Sequence, residues 1–284
     1  MARAKGKPRI GKRWVIAGLA LLAVAFGAKA WSDTLGTPTV HRTTIATNAL
    51  PEGDEPVYIA LISDIHVAGP DMPPERLREI VAQVNALDPD IVAIAGDLVS
   101  DKRTATHVYA PEEIVAPLAD LTPRIGTVVV PGNHDHWYDM PGLAAELAKH
   151  GIPLVINSAI ELGPLVIGGA DDAYTHRDDI PATLRAMDRL GGGSIILSHS
   201  PDIAADLPAG IDLVLAGHTH CGQIAYPWGG APAHLSDYGD RFACGRIDEA
   251  ARTVIVGAGL GTSILPMRLF TQPEIWVIEL VGQR

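Results

Sequence analysis

The chain has 284 residues, of which 47% are hydrophobic, so it is long enough for one or two domains with a sizeable buried core. The first 30 residues carry seven basic and no acidic side chains, which leaves 15 Lys and Arg against 33 Asp and Glu in the remainder. A body this acidic argues against general nucleic-acid binding, because contacts to phosphate require positive charge.

The N-terminal segment predicts export or membrane anchoring. Six basic residues precede an uncharged run from Trp14 to Ala28, and Ala28-Lys29-Ala30 resembles a signal-peptide cleavage site. Trp14 and Trp31 flank the run as interfacial anchors do, which brings it close to the ~20 residues of a membrane-spanning helix. We favour an uncleaved signal-anchor over a cleaved signal peptide for residues 1–31. Either way, the positive-inside rule places the body on the outer face of the cytoplasmic membrane, from which cleavage would release it.

Residues 32–56 predict a linker with one edge strand near Val40 to Thr47, and the catalytic domain is predicted to span residues 57–284. The predicted strands are Val57 to Ser63, Ile91 to Ala95, Thr127 to Val130, Pro153 to Ile156, Leu165 to Ile167, Ser194 to Leu197, Asp212 to Ala216, Phe242 to Ile247, Thr253 to Val256 and Glu274 to Leu280. The predicted helices are Pro73 to Asp88, Glu112 to Leu118, Leu143 to His150 and Pro181 to Leu190. This βαβαβαβ order, followed by hairpins, predicts an α/β fold with layers around two facing sheets.

Five of the apolar strands end on Asp, Asn or His. The residues at these ends are Asp64 and His66, Asp97, Asn133 with His134 and Asp135, His199, and His218 with His220. One such ending would indicate a cap or a turn, but five in one chain predict a site, because ligands of open α/β sheets bind at the carboxyl ends of the strands.

With His134 and Asp135 left aside, the candidate side chains are two carboxylates, one amide and four imidazoles. A mixed nitrogen and oxygen set suits Mn²⁺, Zn²⁺ or Fe better than a soft metal. Seven protein ligands are too many for one catalytic ion, which needs an open position, but they suit two ions that share a bridging carboxylate. Two ions roughly 3.5–4 Å apart hold a bridging hydroxide and clamp the phosphoryl oxygens during in-line attack. The sequence therefore predicts a dimetal-dependent phosphoester hydrolase.

The five motifs, in this order, resemble those of the calcineurin-like metallophosphoesterase superfamily. The stretches Gly259 to Ser263 and Pro266 to Phe270 resemble its membrane-associated bacterial branch. The resemblance implies a four-layer α-β-β-α sandwich of two facing mixed sheets, with the dimetal site at the carboxyl ends of the strands. It implies that Asp64, His66, Asp97 and His220 hold one ion, and that Asp97, Asn133, His199 and His218 hold the other.

The resemblance also implies that Asp97 bridges the two ions, and that His134 is not a ligand but protonates the leaving oxygen or stabilises the transition state. Some relatives orient that histidine with an Asp three residues after the bridging Asp. Here Ser100 occupies that position and Asp101 follows it, so the partner of His134 is left open.

Two competing hypotheses about the site are a non-catalytic scaffold that has lost its metals and a mononuclear zinc hydrolase. All seven ligand positions are filled, which argues against the scaffold, and metal counting would identify the mononuclear enzyme. Monoester, diester and pyrophosphate cleavage all stay open. The predicted location favours a lipid-linked or envelope-derived phosphate ester. Alternatives are a general extracytoplasmic phosphatase and a pyrophosphatase acting on UDP-linked acylglucosamine, although the second substrate is made in the cytoplasm.

The sequence also predicts positions for several other residues. An apolar shelf near the site has the candidates Trp228, Leu265, Met267, Leu269 and Phe270. We interpret Cys221 and Cys244 as small buried hydrophobic residues, while pairing stays open if the body lies in an oxidising compartment. His41, His107, His150 and His234 are expected to be solvated or capping, and His136 and His176 to lie nearer the site.

Overall fold

Two mixed β-sheets form the centre of the body in the computed structural model, which describes residues 11–283. The basic residues Arg3, Lys5, Lys7 and Arg9 of the predicted export signal lie outside the described residues. The first sheet has the order β1-β11-β2-β3-β4, from β1 (Thr39–Thr47), β11 (Glu274–Gly282), β2 (Val57–Ile62), β3 (Ile91–Ala95) and β4 (Gly126–Val130). The second has the order β5-β6-β7-β8-β10-β9, from β5 (Ser158–Leu162), β6 (Leu165–Gly169), β7 (Ile195–Leu197), β8 (Leu213–Ala216), β10 (Thr253–Val256) and β9 (Gly245–Asp248).

The central strands of both sheets are buried on both faces. In β2, Ile59 and Leu61 pack in a core that also contains Leu197 and Leu215 of the second sheet. The intervening Ala60 and Ile62 pack with helix residues on the other face. Because side chains alternate along a strand, one apolar run supplies both the core between the sheets and the core under the helices.

The longer helices that follow the N-terminal one cover the outer faces of the two sheets. The helices and 3₁₀ turns are α1 (Lys12–Leu35), α2 (Pro74–Asn85), α3 (Pro111–Val115), α4 (Asn133–Tyr138), α5 (Met140–Lys149) and α6 (Ile180–Arg189), with 3₁₀ turns Ala116–Asp120, Pro201–Ala205, His220–Gly222 and Gly239–Phe242. Leu77 of α2 and Leu147 of α5 pack on the first sheet, and Met187 of α6 packs on the second. The predicted four-layer α-β-β-α sandwich is confirmed.

Two local predictions are wrong, and one helix was not predicted. Pro153 to Ile156 forms only a single bridge, from Leu154 to Val129, because the left-handed backbone of Asn157 turns the chain away, and the first strand of the hairpin is β5. The strand predicted from Phe242 begins only at Gly245, since a 3₁₀ turn precedes it. The short helix α4 was not predicted, because its polar sequence resembles a loop.

The N-terminal helix continues to Leu35, past the predicted end of the signal segment at residue 31. It is long and apolar enough to cross a membrane, and its residues 12–29 are exposed. The edge strand expected within residues 32–56 is β1, which pairs in parallel with β11. This segment therefore contributes an edge strand to the first sheet.

Candidate metal centre

The polar side chains at the strand ends sit on an unusual backbone. Asp64, His66, Asp97, His218 and His220 all have positive φ, between 47° and 70°. Residues other than glycine rarely adopt this left-handed conformation, and they do so mainly at functional sites. The fold thus holds five of the predicted site residues in a costly conformation.

Two glycines allow the strand ends to approach each other. A Cβ on Gly132 would lie 2.2 Å from Oδ1 of Asp97, and a Cβ on Gly217 would lie 2.4 Å from Oδ2 of Asp64. Any side chain at either position would collide with a candidate ligand. This explains why a glycine precedes both Asn133 and His218 in the sequence.

Four candidate ligands converge in the first half of the site. Nε2 of His66 lies 3.1 Å from Nε2 of His220 and 3.5 Å from Oδ2 of Asp97. Nε2 of His220 lies 3.4 Å from Oδ1 of Asp64. All four side chains are buried, so this half combines two imidazoles and two carboxylates away from bulk water.

The second half shares Asp97 with the first. Nε2 of His199 lies 3.2 Å from Oδ2 of Asp97, 3.1 Å from Oδ1 of Asn133 and 3.1 Å from Nδ1 of His218. One carboxylate oxygen of Asp97 therefore faces both halves. The structure brings all seven predicted ligand residues together.

The hydrogen bonds behind the histidines fix which nitrogen faces the site. Nδ1 of His66 donates to the Val99 carbonyl at 3.1 Å, and Nδ1 of His199 donates to the Ala95 carbonyl at 2.8 Å. Since a carbonyl only accepts, a proton lies on each Nδ1 and the two Nε2 atoms point inward. Such backbone support is typical of metal-binding histidines.

The protonation states of three of the histidines and of Asp97 also suit a cation. Burial lowers the pKa of His66 and of His220 well below the usual range, and it lowers the pKa of His218 to about 3. Burial raises the pKa of Asp97, but the neighbouring His199 more than offsets this, so the net shift is downward.

Burial raises the pKa of Asp64 to about 6, and the effect of burial on the pKa of His199 is outweighed by Asp97, so that the pKa of His199 is raised. A divalent metal would displace the protons from these two groups, since neutral imidazoles and ionised carboxylates are the forms that bind it. The residues present therefore fit a dimetal site.

His134 lies beside this cluster and has a partner of its own. Its Nδ1 is hydrogen-bonded to the Asp101 carboxylate, and its Nε2 lies 3.3 Å from Oγ of Ser263. Ser100 is not its partner, because Oγ of Ser100 accepts a hydrogen bond from the backbone N–H of Lys102. A ring nitrogen of His134 also lies within 4.8 Å of ligand atoms of His66 and Asp97, so the ring borders the metal cluster.

Two further residues support the site, although no role was predicted for either from the sequence. The Asp135 carboxylate accepts the backbone N–H groups of Asp97 at 2.9 Å and Gly132 at 2.9 Å, which ties the ends of β3 and β4 together. The fully buried Arg268 donates to the carbonyls of Ala258 and Gly261, and its Nη2 lies 3.5 Å from Nδ1 of His220. Burial lowers the pKa of Arg268 to about 10, so the guanidinium stays charged at neutral pH.

The mouth of the site is apolar. A cavity of about 130 Å³ over the cluster is lined on its outer side by Trp137, Tyr174, Leu235 and Ile264. A larger cavity of about 550 Å³ shares Tyr174 and Leu235 with it and also has His176 in its wall. His136 instead bonds to Asp171 at 2.6 Å.

The interpretation of the cysteines as two separate hydrophobic residues is wrong, because Cys221 and Cys244 form a disulfide with Cα atoms 4.8 Å apart. The strand register explains the pairing. Val256 lies opposite both Ala216 and Gly245, so Cys244 comes next to the chain that leaves the end of β8. The spacing of the two cysteines along the sequence could not reveal this disulfide, since the pairing depends on the order of strands in the second sheet.

Comparison with known proteins agrees with the site. The sequence model of the calcineurin-like phosphoesterase family matches residues 57–222. An uncharacterized metallophosphoesterase of Bacillus subtilis, YkuE, is 31% identical over 247 residues, which cover 84% of this chain and 83% of that protein. An uncharacterized metallophosphoesterase of Aquifex aeolicus is 31% identical over 271 residues, which cover 92% of this chain and 98% of that protein.

The name of a third relative includes the word transmembrane. The transmembrane protein with metallophosphoesterase domain of Danio rerio is 31% identical over 262 residues, and the match covers 86% of this chain and 57% of that protein. Together with the apolar helix α1, this similarity suggests membrane association. With the family model matching more than half of its length, the chain belongs to the calcineurin-like phosphoesterase family and is a metal-dependent phosphoester hydrolase.

Proposed function

We propose that the chain hydrolyses a phosphate ester at two divalent metal ions held by the seven clustered side chains. Asp64, His66, Asp97 and His220 would hold one ion, and Asp97, Asn133, His199 and His218 the other. The observation that carries this proposal is the position of Asp97, whose Oδ2 lies 3.5 Å from Nε2 of His66 and 3.2 Å from Nε2 of His199. The nitrogen and oxygen donors suit Mn²⁺, Zn²⁺ or Fe.

Two such ions, when bound, activate a water molecule and polarise the phosphoryl oxygens. The chain itself supplies the proton. His134 would donate the proton on Nε2 to the leaving oxygen, while Asp101 holds the Nδ1 proton and stabilises the charged ring. Ser263, next to Nε2 at 3.3 Å, would orient that nitrogen before substrate enters.

The substrate we propose is a lipid-linked or envelope-derived phosphate ester. Apolar side chains around the mouth and the apolar helix α1 support this proposal. The disulfide supports a body outside the cytoplasm, since such bonds persist mainly in oxidising compartments. That location also disfavours a nucleotide-linked substrate made in the cytoplasm.

A substrate screen tests the proposed function. The full chain, purified in detergent and loaded with Mn²⁺, would be assayed against monoesters, diesters and pyrophosphates, each as a lipid-linked and a water-soluble compound. We expect the highest kcat/KM for a lipid-linked ester. Equal or higher values for soluble compounds would leave a general extracytoplasmic phosphatase, and preference for the UDP-linked lipid would establish the pyrophosphatase.

A further inference from the structure

The apolar helix meets the body at the same end of the first sheet as the metal cluster. The cluster follows the carboxyl ends of β2, β3 and β4. Strand β11 runs antiparallel to β2 with Trp276 opposite Leu61, so β11 begins at this end. Strand β1 is parallel to β11 with Thr39 opposite Glu274, and α1 leads into it. The side of the body that receives the helix is therefore the side that carries the site.

Specific hydrogen bonds fix the last turn of α1 to the body. Oγ1 of Thr34 accepts the N–H of Arg268 at 2.7 Å, and Oδ2 of Asp33 accepts the N–H of Phe270 at 2.9 Å. Arg76 donates to the Thr34 carbonyl at 2.7 Å. Asp33 and Thr34 are buried, so the body does not swivel freely about the helix, and its orientation to a membrane is set by this joint.

Further contacts join the body to the apolar part of the helix, one to two turns before this joint. The Phe26 ring meets the Phe270 ring edge-on, with centroids 6.4 Å apart, and Nζ of Lys29 lies 5.3 Å from the Phe270 centroid. Lys29 also pairs with Asp33 at 2.7 Å. An aromatic ring beside a lysine at the end of an apolar span is typical of a membrane interface.

The segment that docks α1 continues into an exposed apolar tip at the mouth of the site. Ile264 is 73% exposed and Leu265 is 41% exposed, and the preceding Ser263 contacts His134. The Ile264 carbonyl accepts a hydrogen bond from Oγ1 of Thr104 at 3.1 Å, next to the exposed Arg103. Apolar side chains beside a basic one suit a surface with anionic headgroups above acyl chains.

Other side chains at the mouth of the site are also large, apolar and exposed. Trp137 is 53% exposed and Tyr174 is 47% exposed, and their rings lie edge-on with centroids 6.4 Å apart. Two exposed aromatic rings beside a metal cluster are costly in water, because such apolar area is normally buried. Trp and Tyr favour the interface between headgroups and acyl chains, where one end of the ring is apolar and the other is hydrated.

We propose that the tip Ile264–Leu265 and the aromatic pair Trp137 and Tyr174 rest on the bilayer that anchors α1, so that the metal site opens onto the headgroup layer. A lipid phosphate would then reach the metals while its acyl chains stay in the membrane. The link to catalysis rests on the proposed function, whereas contact with the bilayer does not.

Site-specific labelling tests the contact directly. Because the two native cysteines are paired, Ile264→Cys introduces one reactive thiol for an environment-sensitive nitrobenzoxadiazole label. Ile125→Cys is the matched control, since Ile125 is also exposed but lies at the opposite end of β4 from the site. The labelled full chain would be placed in nanodiscs of phosphatidylglycerol and phosphatidylethanolamine, and the rate of label reduction by dithionite would be measured.

We expect the label at residue 264 to be reduced about tenfold more slowly than the label at residue 125, with blue-shifted emission. Equal rates at the two positions would overturn the proposal. The proposal would also be overturned if the label at residue 264 stayed protected from dithionite in detergent and this protection increased with protein concentration. The surface would then bind a second copy of the chain.

A second variant links the surface to turnover. Leu265→Asp should lower the ratio of lipid-ester to soluble-ester hydrolysis in nanodiscs about tenfold, and Ile125→Asp should leave that ratio close to the parent value. A parent chain that hydrolyses neither ester would refute the proposed function alone, since the labelling result still decides the membrane contact. Membrane-protected labels together with an unchanged ratio for Leu265→Asp would overturn the proposed link to substrate.

Discussion

The carboxylate of Asp101 accepts a hydrogen bond from Nδ1 of His134, although Asp101 lies four residues after Asp97 and not three. The spacing works because the backbone N–H groups of Asp97 and Leu98 donate to Asp135, which sits one residue after His134. The loop that carries Asp101 is thereby fixed to the helix that carries His134. The pair orients the histidine that we propose as the general acid.

Asp101→Asn should lower kcat roughly 10- to 100-fold for esters with poor leaving groups, because an amide stabilises the charged ring of His134 less than a carboxylate does. Metal content should stay at the parent level. Ser100→Ala is the matched control and should have a small effect, since Ser100 does not contact the ring. Similar losses for nitrophenyl and alkyl esters would show that Asp101 has only a structural role.

His134→Ala should lower kcat by roughly 10²–10⁴ while the metal content stays near normal, if the residue is an acid and not a ligand. Esters of nitrophenol should lose less activity than alkyl esters, because a good leaving group needs no proton. The measurement is kcat over a series of leaving groups, together with elemental analysis. Loss of bound metal would instead make His134 a ligand, which its proximity to His66 and Asp97 would allow.

A buried ion pair joins the loop after β2 to the loop that carries Asp101. Nζ of Lys102 lies 2.5 Å from Oδ1 of Asp71, and Thr262 bonds to both residues. Asp71→Asn should destabilise the chain by about 3–5 kcal/mol, because it leaves a buried ammonium without its counter-charge. Denaturant unfolding measures this, and Glu75→Gln on the exposed face of α2 should change stability by less than about 0.5 kcal/mol. Equal effects of the two variants would contradict this account.

The body should lie outside the cytoplasm. A reporter that is active only in the cytoplasm, fused after Arg284, should therefore give no signal, and thiol titration of the denatured, unreduced chain should find no free cysteine, since Cys221 and Cys244 are paired. A strong reporter signal would reverse the topology. It would also revive the nucleotide-linked substrate made in the cytoplasm.

Much of this architecture follows from local sequence patterns. Apolar strands that end on Asp64, Asp97, Asn133, His199 and His218 predict both the sheets and the cluster, because strand periodicity and strand-end chemistry are local signals. The disulfide was missed since it depends on the order β8-β10-β9, which no local signal encodes. The support from Arg268 was also missed, because an arginine in a Pro-rich stretch gives no sign that tertiary contacts bury it completely.

The C-terminal end of helix α1 shows the same limit of prediction from the sequence. Hydropathy predicts the apolar helix, but it does not predict that Asp33 and Thr34 are buried against Phe270 and Arg268. Charged and polar residues at the end of a span normally face water. Only the fold, which brings the segment after Ser263 to the end of the helix, gives these side chains partners.

Metal counting shows directly whether two metal ions share the carboxylate of Asp97. The purified, active full chain should contain two divalent ions per molecule by elemental analysis. Asp97→Asn should lower metal content and turnover together, because Oδ2 of Asp97 faces both halves of the cluster. A fully active chain with one ion per molecule would show instead that the enzyme is a mononuclear hydrolase.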